Sequence, residues 1–281
     1  MNEYNNRDIV TCYAKKREWA EAVPESIMHE LRKSYNMPVE ENIPFQKMVD
    51  AGCGSGRSTR IFAPYFHSVV GFDISLEQIQ MAQESEQNDN VTYVTGTEDN
   101  FPCENESVDL VASSFAIHYM DTEKFVAECK RVLKPNGIVA AYGLAVLDLV
   151  LDDCNENISL SGMDIYNEYY LKPFTEFVHE LNHPQKHAID KYQSIYDSIT
   201  GMEKWRNDIV EFDNACTLND LKSQFQCIPI FRKFHESFSE SPIDILCKKL
   251  KELWKMKEEN DADVKIKLTF SVFIVFLKQL P

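Results

Sequence analysis

The stretch Met48-Val49-Asp50-Ala51-Gly52-Cys53-Gly54-Ser55-Gly56-Arg57-Ser58-Thr59 joins an apolar strand end to a helix start through a turn of small residues. Glycines are needed there because the backbone must bend sharply and let a ligand approach where a Cβ would stand in the way. A pyrophosphate ligand is disfavoured: a dinucleotide fingerprint wants a third small residue where Arg57 stands, and the Gly-Lys-Ser/Thr of a phosphate loop is absent. The next apolar run ends Val69-Val70-Gly71-Phe72-Asp73, which puts a carboxylate where it can accept hydrogen bonds from both hydroxyls of an unphosphorylated ribose. A nucleoside ligand is implied.

The rest of the N-terminal half repeats that strand-then-helix rhythm, the signature of a parallel sheet. Strands are expected at Lys47-Met48-Val49, Ser68 to Phe72, Val91 to Val94, Val108 to Ser113 and Ile138 to Tyr142. Helices are expected from Arg57 to Tyr65, from Leu76 to Gln87 behind a Ser75 cap, and from Glu123 to Leu133, with a turn at Lys134-Pro135-Asn136-Gly137. Earlier, Pro24 opens a helix running through Leu31. Glycine is scarce after Gly143, and the chain from about 145 to 203 reads as helical and aromatic-rich, with no strand alternation. Ser241-Pro242 starts a strong amphipathic helix, and Val264 to Phe276 alternates as a strand that rejoins the sheet.

Composition excludes several function classes. Lys and Arg number 29 against 45 Asp and Glu, a formal charge of −16 that repels a phosphate backbone, so no nucleic-acid partner is expected. No run approaches the length of a membrane span and no basic-then-apolar leader is seen, so the expected location is cytoplasmic, without a membrane partner. The eight cysteines form no C-x-x-C pair and read as free thiols.

Four blocks in order, Asp50 to Gly56, Gly71-Phe72-Asp73-Ile74-Ser75, Ser107-Val108-Asp109-Leu110-Val111 and Arg131-Val132-Leu133-Lys134-Pro135-Asn136-Gly137, closely resemble the class I S-adenosylmethionine-dependent methyltransferases (methyltransferase type 11 domain). His118-Tyr119-Met120-Asp121 further resembles the His-Trp-Phe-Asp element of the trans-aconitate-methyltransferase-like subgroup, with Tyr for Trp; the early Tyr13-Ala14-Lys15 is also similar, although the Arg-Pro-x-Tyr-Pro that usually follows is missing. The resemblance implies a doubly wound, mostly parallel seven-stranded α/β sheet with a helical lid. Its parts would be a helical segment at 1–40, a cofactor-binding core at 41–145, a lid and substrate insertion at 146–240, and a helix and strand at 241–281 completing the sheet.

The resemblance also implies S-adenosylmethionine as cofactor. Its site would comprise Tyr13, Asp50 at the amino group, the backbone of Gly52, Cys53, Gly54 and Gly56, Asp73 on the ribose, Ile74 beside the adenine, Thr97 or Glu98 at the adenine amine, and Ser114 and Phe115 after the fourth strand. His118 is either a catalytic contact or a hydrogen-bonded structural histidine packed by Tyr119. Tyr119, Tyr166, Tyr170 and Trp205 are expected to wall a pocket for a small-molecule acceptor. The subgroup resemblance points to O-methylation of a carboxylate, whereas the acidic charge points to a cationic or aromatic acceptor methylated on N or O; a cofactor-binding regulator without turnover is the reading from another class. His179-Glu180-Leu181-Asn182-His183 matches H-E-x-x-H, but Pro184 stops the helix and the extended pattern fails at Lys186 and Ile189, so no metal is expected.

Overall fold

The structure is a computed structural model that describes residues 22–38, 44–152, 161–226 and 228–280. Helix α1 (Ala22–Ser34) precedes β1 (Phe45–Ala51), α2 (Arg57–Arg60), β2 (Phe66–Asp73), α3 (Leu76–Glu84), β3 (Val91–Thr95), β4 (Val108–Ser114), α4 (Thr122–Val132) and β5 (Leu133–Leu151). The strands form a seven-stranded sheet in the order β3-β2-β1-β4-β5, followed by the C-terminal β7 (Lys265–Lys278) and, at the edge, β6 (Glu203–Thr217). β1 to β5 are parallel, and β7 runs antiparallel between β5 and β6. Successive connections leave β1 in opposite directions, so a crevice opens at the carboxyl ends of β1 and β4, where such sheets take their ligands.

Alternation along the strands divides the core between two faces. Met48, Leu110, Ala112, Ile138, Ala140, Ile274 and Phe276 pack with α1 residues Val23, Ile27, Met28 and Leu31. Val49, Val111, Val139, Ala141, Phe273 and Val275 face Phe125, Cys129 and Val132 of α4. Both faces are covered, which is why the central strands read as continuous apolar runs.

Three expectations need correction. The helix expected from Arg57 to Tyr65 stops at Arg60 and resumes as a single 3₁₀ turn at Ala63–Tyr65, because Pro64 cannot continue the α ladder. The expected turn at Lys134 to Gly137 is absorbed into β5 as a bulge, the pairing jumping from Val108↔Leu133 to Leu110↔Ile138. β5 also does not end at Tyr142: it continues to Leu151, paired with β7 down to Leu151↔Ile266.

The stretch 146–240 is therefore not wholly helical. It contains the end of β5 and all of β6, and helices occupy the remainder: α5 (Met163–Tyr166), a π turn (Asn167–Leu171), α6 (Lys172–Glu180), α7 (Lys186–Ile189), α8 (Gln193–Ser198), α9 (Leu218–Gln226) and α10 (Pro229–Glu236). With α11 (Pro242–Leu253), α5, the π turn, α6, α9 and α10 build a third core around Leu149, Tyr166, Tyr170, Phe174, Leu218, Phe234, Leu246 and Leu268, seated on the paired overhang of β5 and β7, whereas Ala188 of α7 and Ile195 of α8 pack into the core beside α4. Among the described residues no helix is long and apolar enough to cross a membrane.

Candidate functional site

The glycine turn folds as its composition demands. Gly52, Gly54 and Gly56 all take positive φ, at 73°, 54° and 79°. At Gly52 a Cβ would also lie 2.4 Å from that of Ala116, so backbone conformation and space both require glycine. The turn is pinned to β2, since the amides of Gly52 and Cys53 both donate to the Phe72 carbonyl at 2.9 Å. Cys53 is buried and its thiol pushed well up by desolvation, so its part in the site is backbone and packing.

Asp50 and Asp73 converge on this turn. Asp73 accepts from the Gly54 amide at 3.0 Å through one oxygen and from the Ser75 amide at 2.8 Å through the other, bracing the loops after β1 and β2 against each other. Asp50 is fully buried at the end of β1; its Oδ2 accepts from Ser58 (2.9 Å) and Thr59 (2.7 Å), and its Oδ1 has no partner among the described residues. Desolvation pushes Asp50 up to about 6, the two hydroxyls opposing the shift and the Asp73 charge adding to it. A buried carboxylate with an orphaned oxygen lacks a donor, and a cation would satisfy it.

Gln78 was missed in the sequence. Ser75-Leu76-Glu77-Gln78 reads as a capping box, in which the Gln78 side chain returns to the Ser75 amide. Ser75 does cap α3, its hydroxyl accepting from the Gln78 amide at 3.3 Å, but Asp73 already holds the Ser75 amide. The Gln78 Oε1 is therefore left buried and unpartnered among the described residues, 3.6 Å from where a Cβ on Gly54 would stand.

Ile74 lies at the rim beyond Asp73, 67% exposed. On the turn after β3, Thr97 donates to Asp99 at 2.6 Å and Glu98 accepts from the Asp121 amide at 3.1 Å through Oε1. Ser114 ends β4; Phe115 follows at φ 50°, its amide donating to the Tyr142 carbonyl at 2.9 Å. Tyr13 lies outside the described residues.

Beyond Phe115 a cavity of about 260 Å³ opens between the β5–β7 overhang and the helices of the third core. Phe115, His118, Tyr119, Tyr166 and Tyr170 line it together with Phe174, Phe225, Phe231 and Phe270, and Lys191, exposed, is the one Lys, Arg, Asp or Glu among its described lining residues. His118 is buried, its Nδ1 3.0 Å from the Tyr192 hydroxyl and its ring 4.3 Å from that of Tyr119. Burial pushes the imidazole down to about 3, so it is neutral at physiological pH.

Trp205 does not join this wall. It stands on β6 with its ring stacked 5.2 Å from Phe276 and its Nε1 donating to Glu30 of α1, which places it in the core on the other face of the sheet. The alternation of β6 decides this, and that strand was read as part of a helical stretch. The H-E-x-x-H match is not a helical pair either: α6 ends at Glu180, Asn182 turns at φ 49°, and His183 lies past the cap with its Nδ1 accepting from the Gln185 amide.

Comparison with known proteins agrees with this geometry. Residues 49–141 match the family model described as a methyltransferase domain. A protein of Dictyostelium discoideum provisionally named a methyltransferase is 26% identical over 235 residues, 82% of this chain and 81% of its own length. The malonyl-[acyl-carrier protein] O-methyltransferase of Pectobacterium atrosepticum is 30% identical over 100 residues, 35% of this chain and 39% of its own length. The structure of a provisionally named type II methyltransferase from Anaeromyxobacter dehalogenans superposes with a TM-score of 0.67 at 17% identity, covering 92% of this chain and 97% of that one, and shares the fold.

Proposed function

We propose that this chain, whose residues 49–141 match the family model described as a methyltransferase domain, is a class I S-adenosylmethionine-dependent methyltransferase that transfers a methyl group to an oxygen or nitrogen of a small, largely apolar aromatic acceptor held in the 260 Å³ cavity. The carrying observation is the cavity's lining, which is aromatic and aliphatic apart from His118, Gln185, Gln224, Ser271 and the exposed Lys191 among the described residues. An apolar cavity of roughly 150 Å³ already holds benzene, so this one suits one or two rings.

The residues present fit the cofactor. The orphaned Oδ1 of Asp50 suits its ammonium, the Cβ-free turn at Gly52 and Gly54 lets its chain lie against the backbone, and Asp73 suits the ribose hydroxyls. When bound, S-adenosylmethionine supplies a methyl carbon on a positively charged sulfur. Ile74 and the backbone of the Thr97–Glu98 turn would flank the adenine, with Ser114 and Phe115 closing the site toward the acceptor.

His118 is suited to orient rather than to act as a strong base. At about 3 its imidazole is a weak proton acceptor, yet a neutral Nε2 can accept a hydrogen bond from an acceptor O–H or N–H and hold the lone pair in line. The aromatic wall shields that alignment, while the cavity's open mouth lets the acceptor's proton leave to water as the methyl arrives.

A carboxylate acceptor is the second reading, favoured by the malonyl O-methyltransferase relative and opposed by the lack of a guanidinium in the described lining. A panel of phenols, anilines and carboxylic acids, assayed for methyl incorporation from labelled S-adenosylmethionine, separates the two. Phenols or anilines are expected to be methylated; incorporation confined to aliphatic acids would overturn the aromatic reading.

A further inference from the structure

One polar cluster lies wholly within the cavity lining: His118 and Tyr119 after β4, and Gln185 at the N-cap of α7. The Tyr119 hydroxyl donates to Oε1 of Gln185 at 3.3 Å, and the Gln185 side chain adjoins the His118 imidazole closely enough to act on its protonation. The segment carrying Gln185 is held from its other side as well. The Gln185 amide donates to Nδ1 of His183 at 3.1 Å, and the His183 ring stands edge-on to that of Tyr119 at 6.1 Å. Sixty-six residues separate Tyr119 from Gln185 in the chain, so only the folded lid brings the carboxamide to His118.

These contacts decide what the cluster offers a ligand. Tyr119 occupies Oε1 of Gln185, so the carboxamide has its N–H donors left to give. Nε2 of His118 is buried without a hydrogen-bond partner among the described residues, and it is an acceptor in the tautomer whose Nδ1–H points at the Tyr192 hydroxyl. A reacting atom seated here must therefore donate to Nε2, accept from Gln185 and keep a lone pair for the methyl carbon. An aryl hydroxyl does all three, having one O–H and two lone pairs. An arylamine nitrogen has a single lone pair. A donor resting on that pair blocks methylation, and a donor left without it is an unmet polar group, which is how a polar site rejects the wrong ligand.

We propose that Gln185, held by Tyr119, is a specificity-determining residue that selects oxygen over nitrogen at the reacting end of the acceptor, making the substrate a phenol and the product its methyl ether. The proposal rests on the reading of the cavity as the acceptor site and narrows it. The phenol oxygen forms its bond to the methyl carbon as that carbon's bond to sulfur breaks; the bonding pair stays on sulfur, and the hydroxyl proton leaves to water.

The test uses the full chain saturated with S-adenosylhomocysteine, with 2-naphthol and 2-naphthylamine as probes of matched shape. Fluorescence titration should find 2-naphthol bound about tenfold more tightly than the amine in the wild type, and Gln185→Leu should bring the two within about twofold by weakening 2-naphthol alone. Equal affinities in the wild type, a preference that survives the substitution, or a loss that falls on both probes alike, as a purely structural clasp would give, overturns the proposal. A measurement on the wild type alone covers failure of the variant to fold. The side-chain amide signals of Gln185 in ¹⁵N-labelled protein should shift with 2-naphthol and not with 2-naphthylamine, and equal shifts refute the selection. Turnover separates the two readings: Gln185-dependent binding of 2-naphthol without methyl transfer to any arene keeps the selective site and sinks the proposed reaction, whereas arylamines methylated as readily as phenols do the reverse.

Discussion

Asp50→Asn should separate what the binding turn does for stability from what it does for ligand affinity. Asp50 is fully buried, its carboxyl pushed from an ordinary 3.8 up to about 6, chiefly by desolvation. A raised value in the folded state means that stability present below about pH 3.8 is lost as pH rises to about 6 and stays lost above it. At 1.36 kcal/mol per unit, the ionised carboxylate destabilises the fold by about 3 kcal/mol. Asparagine carries no such charge, and its oxygen can still accept from Ser58 and Thr59, although its amide leaves a buried donor unpaired at a cost of about 1–3 kcal/mol. The decisive quantity is the pH dependence of the difference. Urea unfolding at pH 4, 5, 6, 7 and 8 should show wild type losing about 2.4 kcal/mol relative to the variant across that range, a comparison in which the titration of His118 and His235 cancels. S-adenosylhomocysteine, which carries the same ammonium, should bind the variant roughly 10 to 150-fold more weakly, for about 1.5–3 kcal/mol of charge-assisted hydrogen bonding, and its affinity for the wild type should fall below pH 6. Parallel stability profiles for the two proteins would refute the burial argument, and equal affinities would remove Asp50 from the ammonium site.

Gly52→Ala should both unfold more easily and fail to bind S-adenosylhomocysteine, because φ is 73° and the new methyl would meet Ala116 at 2.4 Å; a folded variant with normal calorimetric affinity would contradict the fit of the turn. Trp205→Ala should lower stability by about 1.5–3 kcal/mol in urea, for a half-buried indole stacked on Phe276, without altering the affinity of the cavity for 2-naphthol; a specific loss of that affinity would place Trp205 at the acceptor after all. Because the helix ends between His179 and His183, prolonged chelator treatment should leave the melting temperature unchanged, and stoichiometric zinc by elemental analysis would reverse that expectation.

The ligand turn was legible because its constraints are local. A strand end, three glycines at positive φ and a capped helix are dictated by neighbours in sequence, and Asp73 follows from where the next strand must end. Periodicity likewise located β1 to β4, β7, α3, α4 and α11, since those segments bury one face or two in a regular pattern. The overhang of β5, the edge strand β6 and the bulge at Lys134 to Gly137 were not legible. The conformation of the overhang and of β6 is set by pairing with β7, more than a hundred residues away from β5 in the chain, and the bulge by the register of β5 on β4. Exposed on one side and interrupted by a bulge between Asn207 and Val210, β6 carries only a weak alternation of its own. That register sends Trp205 to one face of the sheet, while the π turn and α10 bring Tyr170 and His235 together from 65 residues apart. Side chains within a few residues of one another are placed by backbone geometry that a short sequence encodes. The cavity beyond Phe115 is lined by segments that meet only when β7 pairs with β5 and β6, so its shape belongs to the tertiary structure.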